Sequence, residues 1–480
     1  MRYTDLIRHQ GLIDGAWCDA DSGESFAVTD PATGEELARV PRMGAAETKR
    51  AIAAAEKALP EWRAKTAGER ARILRKLFDL MTEHKDALGE LLSREQGKPV
   101  PEATGEIVYS ASFIEWFAEE GKRAYGEVIP AHAADRRIVT LRQPIGVVGA
   151  ITPWNFPSAM IGRKLGPALA AGCTMVLKPA SQTPLSALAL GVLAEQAGVP
   201  RGVLNILTGS ASEIAGELTA SPVVRKISFT GSTEVGRELM KNSADTIKKL
   251  SLELGGNAPF LVFDDADLDA AVEGAIIAKF RNGGQTCVCA NRFYVQAGVY
   301  DEFTRKLKAK VEGLKLGRGT EEGVNIGPLI DDNAVEKVEE HLADAKAKGA
   351  HVLTGGHPSV LGRTWFEPTI VTDATQDMLV AREETFGPLA ALIRFEDEAD
   401  AIAMANDTEF GLASYFYSQD LSRVWRVSEA LETGIVGVNT GLISTEVAPF
   451  GGIKQSGLGR EGSRHGLEDY LEIKYVCMGI

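Results

Sequence analysis

The sequence predicts an α/β protein with more than one domain, built on doubly wound sheets of mostly parallel strands. At 480 residues the chain is too long for a single hydrophobic core. Between residues 146 and 253, short apolar runs alternate with helical segments rich in alanine and leucine, and a second alternation runs from 258 to about 440. Short buried strands separated by helices are typical of a parallel sheet, which binds its ligands outside the carboxyl ends of its strands.

The two alternations supply the predicted strands and helices. The first gives strands at 146–152, 174–178, 203–207, 226–230 and 249–253, with helices at 184–197 and 234–242. The second gives strands at 258–263, 292–296, 412–417 and 434–438. The first 120 or so residues are predicted to be helical, because Ile73, Leu74, Leu77, Leu80 and Met81 recur at the spacing of one helix face. Two further segments, 125–143 and 471–478, are predicted to form exposed strands outside both alternations.

The composition and charge restrict the partners and the compartment. A formal net charge of −14 argues against nucleic acid and anionic membranes as partners, although a local arginine cluster can still bind an anionic substrate. Five cysteines form no disulfide framework and indicate a reducing compartment. Asp5, Arg8 and His9 interrupt the apolar run of a signal peptide, and no segment approaches the roughly 20 apolar residues of a membrane span. We therefore expect a soluble cytoplasmic protein.

Two glycine-rich hexapeptides are candidates for a phosphate-binding turn. Residues 457–462, GLGREG, match the G-x-G-x-x-G pattern, but no apolar strand precedes them and the chain ends before an acidic residue about 20 positions later. We interpret them as a flexible connection. Residues 231–236, GSTEVG, follow the predicted strand 226–230 and open a helix, so backbone N–H groups and the helix dipole can face a phosphate. An ordinary strand–helix turn is the alternative.

A cysteine-containing loop is the first candidate for catalysis. Cys287 lies in the polar segment 283–289, GGQTCVC, after a predicted helical segment. There it is predicted to be an exposed thiolate nucleophile whose pKa is lowered by N–H groups or cations, although a buried hydrophobic role is commoner for a single cysteine. The C-x-C spacing of Cys287 and Cys289 also suggests a metal, but no second pair and no histidine cluster supplies further ligands. We therefore predict no metal site.

Two further polar residues follow or end predicted strands. Glu253 lies among apolar neighbours, where burial would raise the pKa of its carboxyl and suit a general base; a half-exposed strand-end glutamate is the alternative. Asn155 lies between Pro153 and Pro157, which restrict the backbone. Its carboxamide can donate to an oxyanion, or the segment is simply a turn between aromatic core residues.

Seven separated segments carry a resemblance to a known family. They are 153–157 (PWNFP), 178–181 (KPAS), 229–236 (FTGSTEVG), 252–256 (LELGG), 284–287 (GQTC), 384–388 (ETFGP) and 449–452 (PFGG). With these segments in this order, the sequence resembles the aldehyde dehydrogenase superfamily over essentially its whole length. Within that superfamily, residues 280–292 and 443–450 look like the succinate-semialdehyde dehydrogenase group.

The resemblance implies an aldehyde dehydrogenase-like architecture. Residues 1–123 and 145–255 would form a doubly wound, Rossmann-type cofactor-binding domain, and residues 256–465 an α/β catalytic domain. Residues 124–144 and 466–480 would form a small β oligomerisation element. Because its strands leave exposed edges, we expect a homo-oligomer, either a dimer or a tetramer.

The resemblance also implies a reaction, the oxidation of succinate semialdehyde to succinate with NAD(P) through a thiohemiacetal and a thioester. Cys287 would be the nucleophile, the Asn155 side chain and the Cys287 N–H the oxyanion donors, and Glu253 the base that activates water. The substrate carboxylate would be bound by Arg163, Arg281 and Ser444. The cofactor would be bound by Thr152, Pro153, Trp154, Lys178, Ser181, Gly231, Ser232, Glu384 and Phe386.

The family pattern further predicts the choice of cofactor and a redox response. NAD-preferring relatives tend to have glutamate at position 181, where its charge repels a 2′-phosphate. Ser181 removes that repulsion and Lys178 supplies positive charge, so we predict that NADP is preferred and NAD is accepted. In some relatives a cysteine pair spaced like Cys287 and Cys289 forms a reversible disulfide, which makes Cys289 a candidate redox switch.

Three rival functions remain. Glutarate semialdehyde is a close rival substrate, because one methylene changes discrimination by only about 1–3 kcal/mol. A cofactor-independent cysteine hydrolase would need a histidine partner for the thiol, and none of the seven histidines lies in a recognisable motif. A non-catalytic structural protein of this fold is disfavoured by the presence of Cys287, Glu253 and Asn155.

Overall fold

Four sheets organise the part of the chain that the computed structural model describes, residues 2–362 and 364–480. The helices of these ranges are α1 (Ala45–Ala64), α2 (Ala67–Glu83), α3 (Lys85–Gln96), α4 (Val100–Glu120), α5 (Ala159–Ala171), α6 (Leu185–Ala197), α7 (Ala211–Ala220), α8 (Thr233–Ser243), α9 (Leu268–Phe280), α10 (Tyr300–Val311), α11 (Asp332–Ala347), α12 (Leu379–Arg382), α13 (Glu398–Asn406), α14 (Leu421–Ala430) and α15 (Ser463–Glu468). The strands are β1 (Gly11–Ile13), β2 (Ala16–Cys18), β3 (Ser25–Thr29), β4 (Glu36–Pro41), β5 (Val128–Ile129), β6 (Arg136–Pro144), β7 (Val147–Ile151), β8 (Thr174–Lys178), β9 (Leu204–Ile206), β10 (Val224–Thr230), β11 (Lys249–Glu253), β12 (Ala258–Val262), β13 (Ala290–Gln296), β14 (His351–Thr354), β15 (Thr369–Thr372), β16 (Leu389–Phe395), β17 (Ala413–Tyr417), β18 (Ile435–Val438), β19 (Gly457–Leu458) and β20 (Leu471–Gly479).

The first large sheet gives the first alternation a doubly wound arrangement. Its strand order is β19-β11-β10-β7-β8-β9-β1-β2. The strands from β11 to β9 are parallel, while β19, β1 and β2 form antiparallel edges. From β7 the chain proceeds to β8 and β9 on one side, then returns to β10 and β11 on the other. This reversal leaves a crevice between the carboxyl ends of β7 and β10, the usual position of a ligand site in such sheets.

The second large sheet carries the other half of the chain. Its order is β14-β15-β16-β13-β12-β17-β18, and every pair except β14–β15 is parallel. Of the two small sheets, one consists of β20 paired along its whole length with β6, and of β5 on the other side of β6. The other is the β3–β4 hairpin.

Helices cover both faces of each large sheet, which explains why so many strands are continuous apolar runs. Every residue of β8, β12 and β17 is buried. On the first sheet, one core contains residues of α2 to α6 and the opposite core residues of α1, α7 and α8. On the second sheet, α9 and α10 cover one face and α11 to α14 the other.

The predicted fold class is confirmed. The nine strands predicted in the two alternations and the helices at 184–197 and 234–242 agree with the structure within two residues at each end. The exposed strands predicted within 125–143 and 471–478 pair with each other as β6 and β20. The domain boundaries stay a prediction, and one strand from the predicted catalytic segment, β19, joins the first sheet.

The prediction of helix over the first 120 residues is wrong for residues 11–41, which form β1 to β4. The overlooked signal is Asp14-Gly15, which joins β1 to β2 with both residues at positive φ, 49° and 66°. A two-residue hairpin turn requires this backbone, and Asp-Gly is one of its preferred sequences. From α1 onward the helical prediction holds, and α2 buries Leu74, Leu77 and Met81.

The interpretation of residues 457–462 as a flexible connection is also wrong. Gly457 and Leu458 form β19, which pairs with the end of β11 so that Gly457 lies opposite Glu253. Gly457 has φ 143°, and a Cβ there would lie 1.9 Å from the Leu252 carbonyl oxygen, so only glycine fits this close approach. None of the helices in the described ranges combines the length and apolarity of a membrane span.

Candidate active site

Cys287 lies in the wall between two cavities. The first, of about 460 Å³, is lined by Arg163 and Arg281 among others, and we call it the arginine cavity. The second, of about 210 Å³, is lined by Trp154 and Ser232 among others, and we call it the Trp154 cavity. Because Cys287 lines both, a group bound to its sulfur can meet a ligand from either side.

Asn155 follows β7 and lines the Trp154 cavity together with Cys287. Its side-chain Nδ2 donates to the Gln285 carbonyl at 3.0 Å, and its Oδ1 accepts from the Phe156 N–H at 3.1 Å. An amide nitrogen carries two hydrogens, so one N–H remains beyond the contact with Gln285. The buried carboxamide is therefore held in one orientation with a donor to spare, as an oxyanion site needs.

Glu253, the last residue of β11, is buried and has a second carboxylate as its neighbour. Burial and the Glu461 carboxylate raise the pKa of Glu253 well above its usual range. Glu461 accepts from Lys164 Nζ at 2.5 Å and lies 3.5 Å from Arg163 Nη1. Glu253 Oε2 has no hydrogen-bond partner within the described residues, so this atom is free to accept a proton.

The predicted exposed thiolate at Cys287 is wrong for the structure as it stands. Cys287 is half-buried, and burial raises the pKa of its thiol to about 12, although the Arg163 cation acts in the opposite direction. The arginines nearby do not offset the desolvation of the sulfur. The thiol is therefore protonated at neutral pH and needs a base to react.

The arginine cavity holds cations with unused donors. Arg163, on α5, is 2% exposed, and its Nε and Nη1 have no hydrogen-bond partner within the described residues, while Nη2 donates to the Tyr109 hydroxyl. Its guanidinium lies 3.9 Å from the centre of the Phe450 ring. Arg281 and Ser444 line the same cavity. A buried cation with free N–H groups is suited to bind an anionic group.

A third cavity, of about 1110 Å³, adjoins the arginine cavity and shares Glu102, Ile277 and Arg281 with it. It is the largest of the three, but neither Cys287 nor Glu253 lines it. We therefore assign the reaction to the two smaller cavities.

The Trp154 cavity brings together six of the nine residues predicted to bind the cofactor: Pro153, Trp154, Gly231, Ser232, Glu384 and Phe386. The Ser232 side chain caps α8 by accepting from the Val235 N–H, so the positive end of that helix faces this side. The Glu384 carboxylate accepts from the Gly256 N–H at 2.9 Å, and burial raises its pKa to about 7. Trp154 and Phe386 pack edge to face at 5.7 Å.

The other three predicted residues lie further along the crevice and do not line the Trp154 cavity. The Thr152 N–H donates to the Lys178 carbonyl at 3.1 Å, and Lys178 Nζ lies 3.5 Å from Ser181 Oγ. Lys178 is 4% exposed, and burial lowers the pKa of its ammonium to about 8. Buried Thr152 Oγ1 has no partner within the described ranges.

Comparison with known proteins decides the family, because the profile of the Aldehyde dehydrogenase family matches residues 17–476. The chain belongs to the aldehyde dehydrogenase family. It is 68% identical over 479 residues to a glutarate-semialdehyde dehydrogenase of Pseudomonas aeruginosa, covering 100% of this chain and 99% of that protein. It is 66% identical over 477 residues to an NADP(+) succinate-semialdehyde dehydrogenase of Escherichia coli, covering 99% of each. The crystal structure of a succinate-semialdehyde dehydrogenase from Burkholderia pseudomallei matches with a TM-score of 0.99 at 63% identity, covering 99% of both chains.

In this aldehyde dehydrogenase, the crevice beside Cys287 fits a nicotinamide dinucleotide. The Trp154 cavity extends from the sulfur to the N-terminus of α8, where a phosphate is favoured. Among the residues that the structure describes, the Thr152 hydroxyl has no hydrogen-bond partner and Lys178 has no carboxylate partner, so both have capacity for a polar ligand. Ribose hydroxyls and phosphates are groups of that kind.

The sequence did not predict several residues that the structure of this aldehyde dehydrogenase places at the site. Lys164 and Glu461 adjoin Glu253, and Tyr109 holds Arg163. Glu461 belongs to residues 457–462, the glycine-rich segment that the sequence predicts to be a flexible connection. No local pattern distinguishes these residues, because they reach the site only through long-range packing of α4, α5 and β19.

Cys289 is separate from the two reaction cavities. Its buried thiol lies 3.5 Å from the Lys279 carbonyl oxygen, and it lines neither the arginine cavity nor the Trp154 cavity. Cys287 and Cys289 are both free thiols in this structure. In the described residues no group of three histidine, cysteine or acidic side chains is arranged to hold a metal ion.

Proposed function

We propose that this aldehyde dehydrogenase oxidises succinate semialdehyde to succinate with NADP. The observation that carries the substrate class is Arg163, a buried cation in the cavity that Cys287 also lines; within the described residues its Nε and Nη1 make no hydrogen bond, and Nη1 lies 3.5 Å from the Glu461 carboxylate. An aldehyde with a distal carboxylate places its carbonyl at the sulfur and its anion among Arg163, Arg281 and Ser444. Relatives at 66% and 68% identity are named for the oxidation of semialdehydes.

The first half of the reaction forms a covalent adduct. The Cys287 thiol first releases its proton to solvent, and the Arg163 cation favours the resulting thiolate while burial of the sulfur opposes it. The thiolate then bonds to the aldehyde carbon, and the Asn155 side chain with the Cys287 N–H stabilises the oxyanion of the thiohemiacetal. NADP would be held in the Trp154 cavity by Trp154, Ser232 and Glu384 and would supply a hydride acceptor there, so that loss of hydride from the adduct would leave a thioester on Cys287.

The second half of the reaction releases the acid. Glu253 takes a proton from water, the hydroxide adds to the thioester carbonyl, and the Cys287 sulfur leaves and regains a proton. Lys164 and Glu461 lie beyond Glu253 and determine the charge around it. The net change is oxidation of one aldehyde by one hydride transfer, with one water consumed.

The preference for NADP is proposed from Ser181 and Lys178. The Ser181 hydroxyl lies beside the Lys178 ammonium at the end of β8. A glutamate at this position would place a carboxylate where the 2′-phosphate of NADP belongs, whereas serine leaves the lysine charge available. The Escherichia coli relative carries NADP(+) in its name.

Glutarate semialdehyde is a second candidate substrate, favoured by the name of the Pseudomonas aeruginosa relative. A cavity of about 460 Å³ has room for the additional methylene. We expect both semialdehydes to react, since one methylene discriminates by only about 1–3 kcal/mol.

The Arg281→Ala variant tests the substrate assignment. Loss of a charged hydrogen bond of about 1.5–3 kcal/mol should raise KM for succinate semialdehyde roughly 10- to 100-fold, and that of butanal less than about twofold. Arg94→Ala is the matched control, because Arg94 lines the adjoining large cavity but not the arginine cavity. Equal changes in both KM values would remove the carboxylate assignment.

Assays of ester cleavage and of aldehyde turnover on the same purified protein distinguish the two rival functions, a cysteine hydrolase and a structural protein. A cysteine hydrolase would cleave activated esters at full rate without any nucleotide, and no histidine is among the residues lining the two cavities beside Cys287. A structural protein would show no turnover of any aldehyde in reducing buffer. The cytoplasmic location, the homo-oligomer and the redox response of Cys289 stay predictions.

A further inference from the structure

A buried ion pair at the base of the active site, between Lys98 and Glu106, takes no direct part in the proposed reaction. Lys98 Nζ lies 2.6 Å from Glu106 Oε2, and the two side chains are 0% and 1% exposed. Removing two charges from water is costly unless further hydrogen bonds satisfy them. The additional partners of each group therefore indicate what the pair holds in place.

Lys98 holds the main chain of the oxyanion donor. Its Nζ donates to the Asn155 carbonyl at 2.7 Å, and its ammonium lies 3.8 Å from the centre of the Phe156 ring. Asn282, in the loop that leads to Cys287, donates to the same Asn155 carbonyl through Nδ2 at 3.0 Å. Two donors from different parts of the chain thus converge on one oxygen.

Two carboxylates of α4, Glu106 and Glu102, hold the start of α5 and the loop that leads to Cys287. Glu106 Oε1 accepts the N–H groups of Ser158 at 2.9 Å and Ala159 at 3.1 Å, where α5 begins. One turn earlier on α4, Glu102 Oε2 accepts the Asn282 N–H at 2.9 Å. Asn282 has φ 52°, a left-handed backbone that non-glycine residues seldom adopt, so these contacts fix an unfavourable loop conformation.

This network determines where the free Asn155 N–H points. The Asn155 main chain is held by Lys98 and Asn282, and its Nδ2 is held by the Gln285 carbonyl next to the cysteine loop. With both ends held, the second Nδ2 hydrogen has one direction left. A donor must lie within hydrogen-bond reach of the developing oxyanion, and a displacement of about 1 Å is enough to cost roughly 100-fold in rate.

We propose that Lys98, paired with Glu106, is a positioning residue that aims the Asn155 side chain at the oxyanion formed on Cys287. The proposal rests on the proposed function, because the oxyanion exists only if Cys287 attacks an aldehyde. Glu106 and Phe156, which Lys98 contacts, line the arginine cavity, whereas Lys98 itself lines neither cavity and reaches the oxyanion site through the Asn155 carbonyl. Its loss slows the formation and oxidation of the adduct without changing the binding of the nucleotide.

The Lys98→Met variant tests this, with Lys226→Met as the matched control. Lys226 is also a buried lysine, stacked 4.8 Å from the Tyr470 ring and bonded to Ser251, but it has no contact with Asn155. Steady-state rates are measured with succinate semialdehyde carrying hydrogen or deuterium on the aldehyde carbon. For Lys98→Met we expect kcat to fall roughly 10- to 100-fold, with KM for NADP within about twofold and a larger deuterium isotope effect on kcat.

The control should lose stability to heat while retaining its kcat and its isotope effect. A Lys98→Met enzyme whose kcat stays within about twofold of the parent, or falls with no change in isotope effect, overturns the proposal. If Lys98→Met does not fold, Glu106→Gln replaces it, because glutamine keeps the size of the side chain and removes the charge that pairs with the Lys98 ammonium. It should show the same increase in isotope effect, and an unchanged value overturns the proposal. Absence of NADPH formation by the parent enzyme would instead refute the proposed function.

Discussion

At the residue scale, burial sets the protonation of the reacting groups. It raises the pKa values of Cys287, Glu253 and Glu384 and lowers that of Lys178. For Glu253 the sequence predicted this direction, because apolar neighbours on a central strand imply burial. For Cys287 it predicted the opposite, because the neighbouring cations were visible in the sequence and the depth of the loop was not.

The pH dependence of Cys287 alkylation follows from its raised pKa. Below a pKa of about 12 the thiolate fraction grows about tenfold per pH unit, so the rate of iodoacetamide labelling should increase in that proportion between about pH 7 and 9. The measurement uses enzyme without nucleotide and quantifies the Cys287 peptide by mass spectrometry. Exposed Cys477 provides the internal comparison. A labelling rate that levels off below pH 8 would show a stabilised thiolate.

Glu253→Gln separates the two halves of the reaction. Glutamine keeps the shape of the side chain but accepts no proton, so hydrolysis of the thioester should slow by roughly 100-fold or more. Slowing the second half exposes the first as a burst of NADPH, no larger than one equivalent per active site, in stopped-flow absorbance. Steady turnover at the parental rate contradicts the assignment of Glu253 as the base.

At the element scale, the site forms where strands end and helices begin. Asn155 follows β7, Glu253 ends β11, and Ser232 caps α8 directly after β10. β7, β10 and β11 are neighbours in the first sheet, at the place between β7 and β10 where the order of the strands reverses. Parallel pairing brings their carboxyl ends to one edge, so residues far apart in sequence meet without any local contact between them.

Ser181→Glu tests the cofactor preference at the end of β8. A carboxylate beside Lys178 should repel the 2′-phosphate, so kcat/KM with NADP should fall at least about tenfold while that with NAD changes little or increases. Ser181→Gln has the same size without the charge and serves as the control. If the glutamine variant loses as much activity with NADP as the glutamate variant, charge is not the cause.

How far the sequence predicts each element depends on how local its signal is. The strands β7 to β11 are apolar runs between helices, and they were predicted within two residues. Asn155 follows β7, Glu253 ends β11 and Cys287 lies in a loop after α9, and the resemblance to the family is what predicted their catalytic roles. The run LAALIRF of β16 was not predicted as a strand, since a short apolar run fits a helix as well as a buried strand. Glu461 could not be placed, because only the pairing of β19 with β11 brings it beside Glu253.

At the scale of the whole molecule, the three-stranded sheet of β20, β6 and β5 leaves apolar side chains exposed. Ile473 and Tyr475, alternate residues of β20, are 61% and 59% exposed, and β20 has no strand on its outer side in the described residues. Edge strands of this kind pair readily with another chain. This supports the prediction of a homo-oligomer.

Ile473→Lys should weaken that assembly. A charge in place of an exposed apolar side chain opposes its burial against a second copy, so the mass in solution should decrease toward that of one chain. Lys474→Glu on the adjacent position is the control, because it changes charge without removing an apolar group. Light scattering with size-exclusion chromatography gives the mass. A parent protein that already runs as a monomer contradicts the prediction.

The proposed enzyme uses Cys287 as the nucleophile in oxidising an aldehyde with a distal carboxylate, with NADP as hydride acceptor. Initial rates of NADPH formation with succinate semialdehyde, glutarate semialdehyde and butanal test it most directly. We expect kcat/KM for the two semialdehydes to exceed that for butanal by about tenfold or more, since only their carboxylates can bind the arginines. A kcat/KM that is higher for butanal, or no NADPH from any of the three, contradicts it.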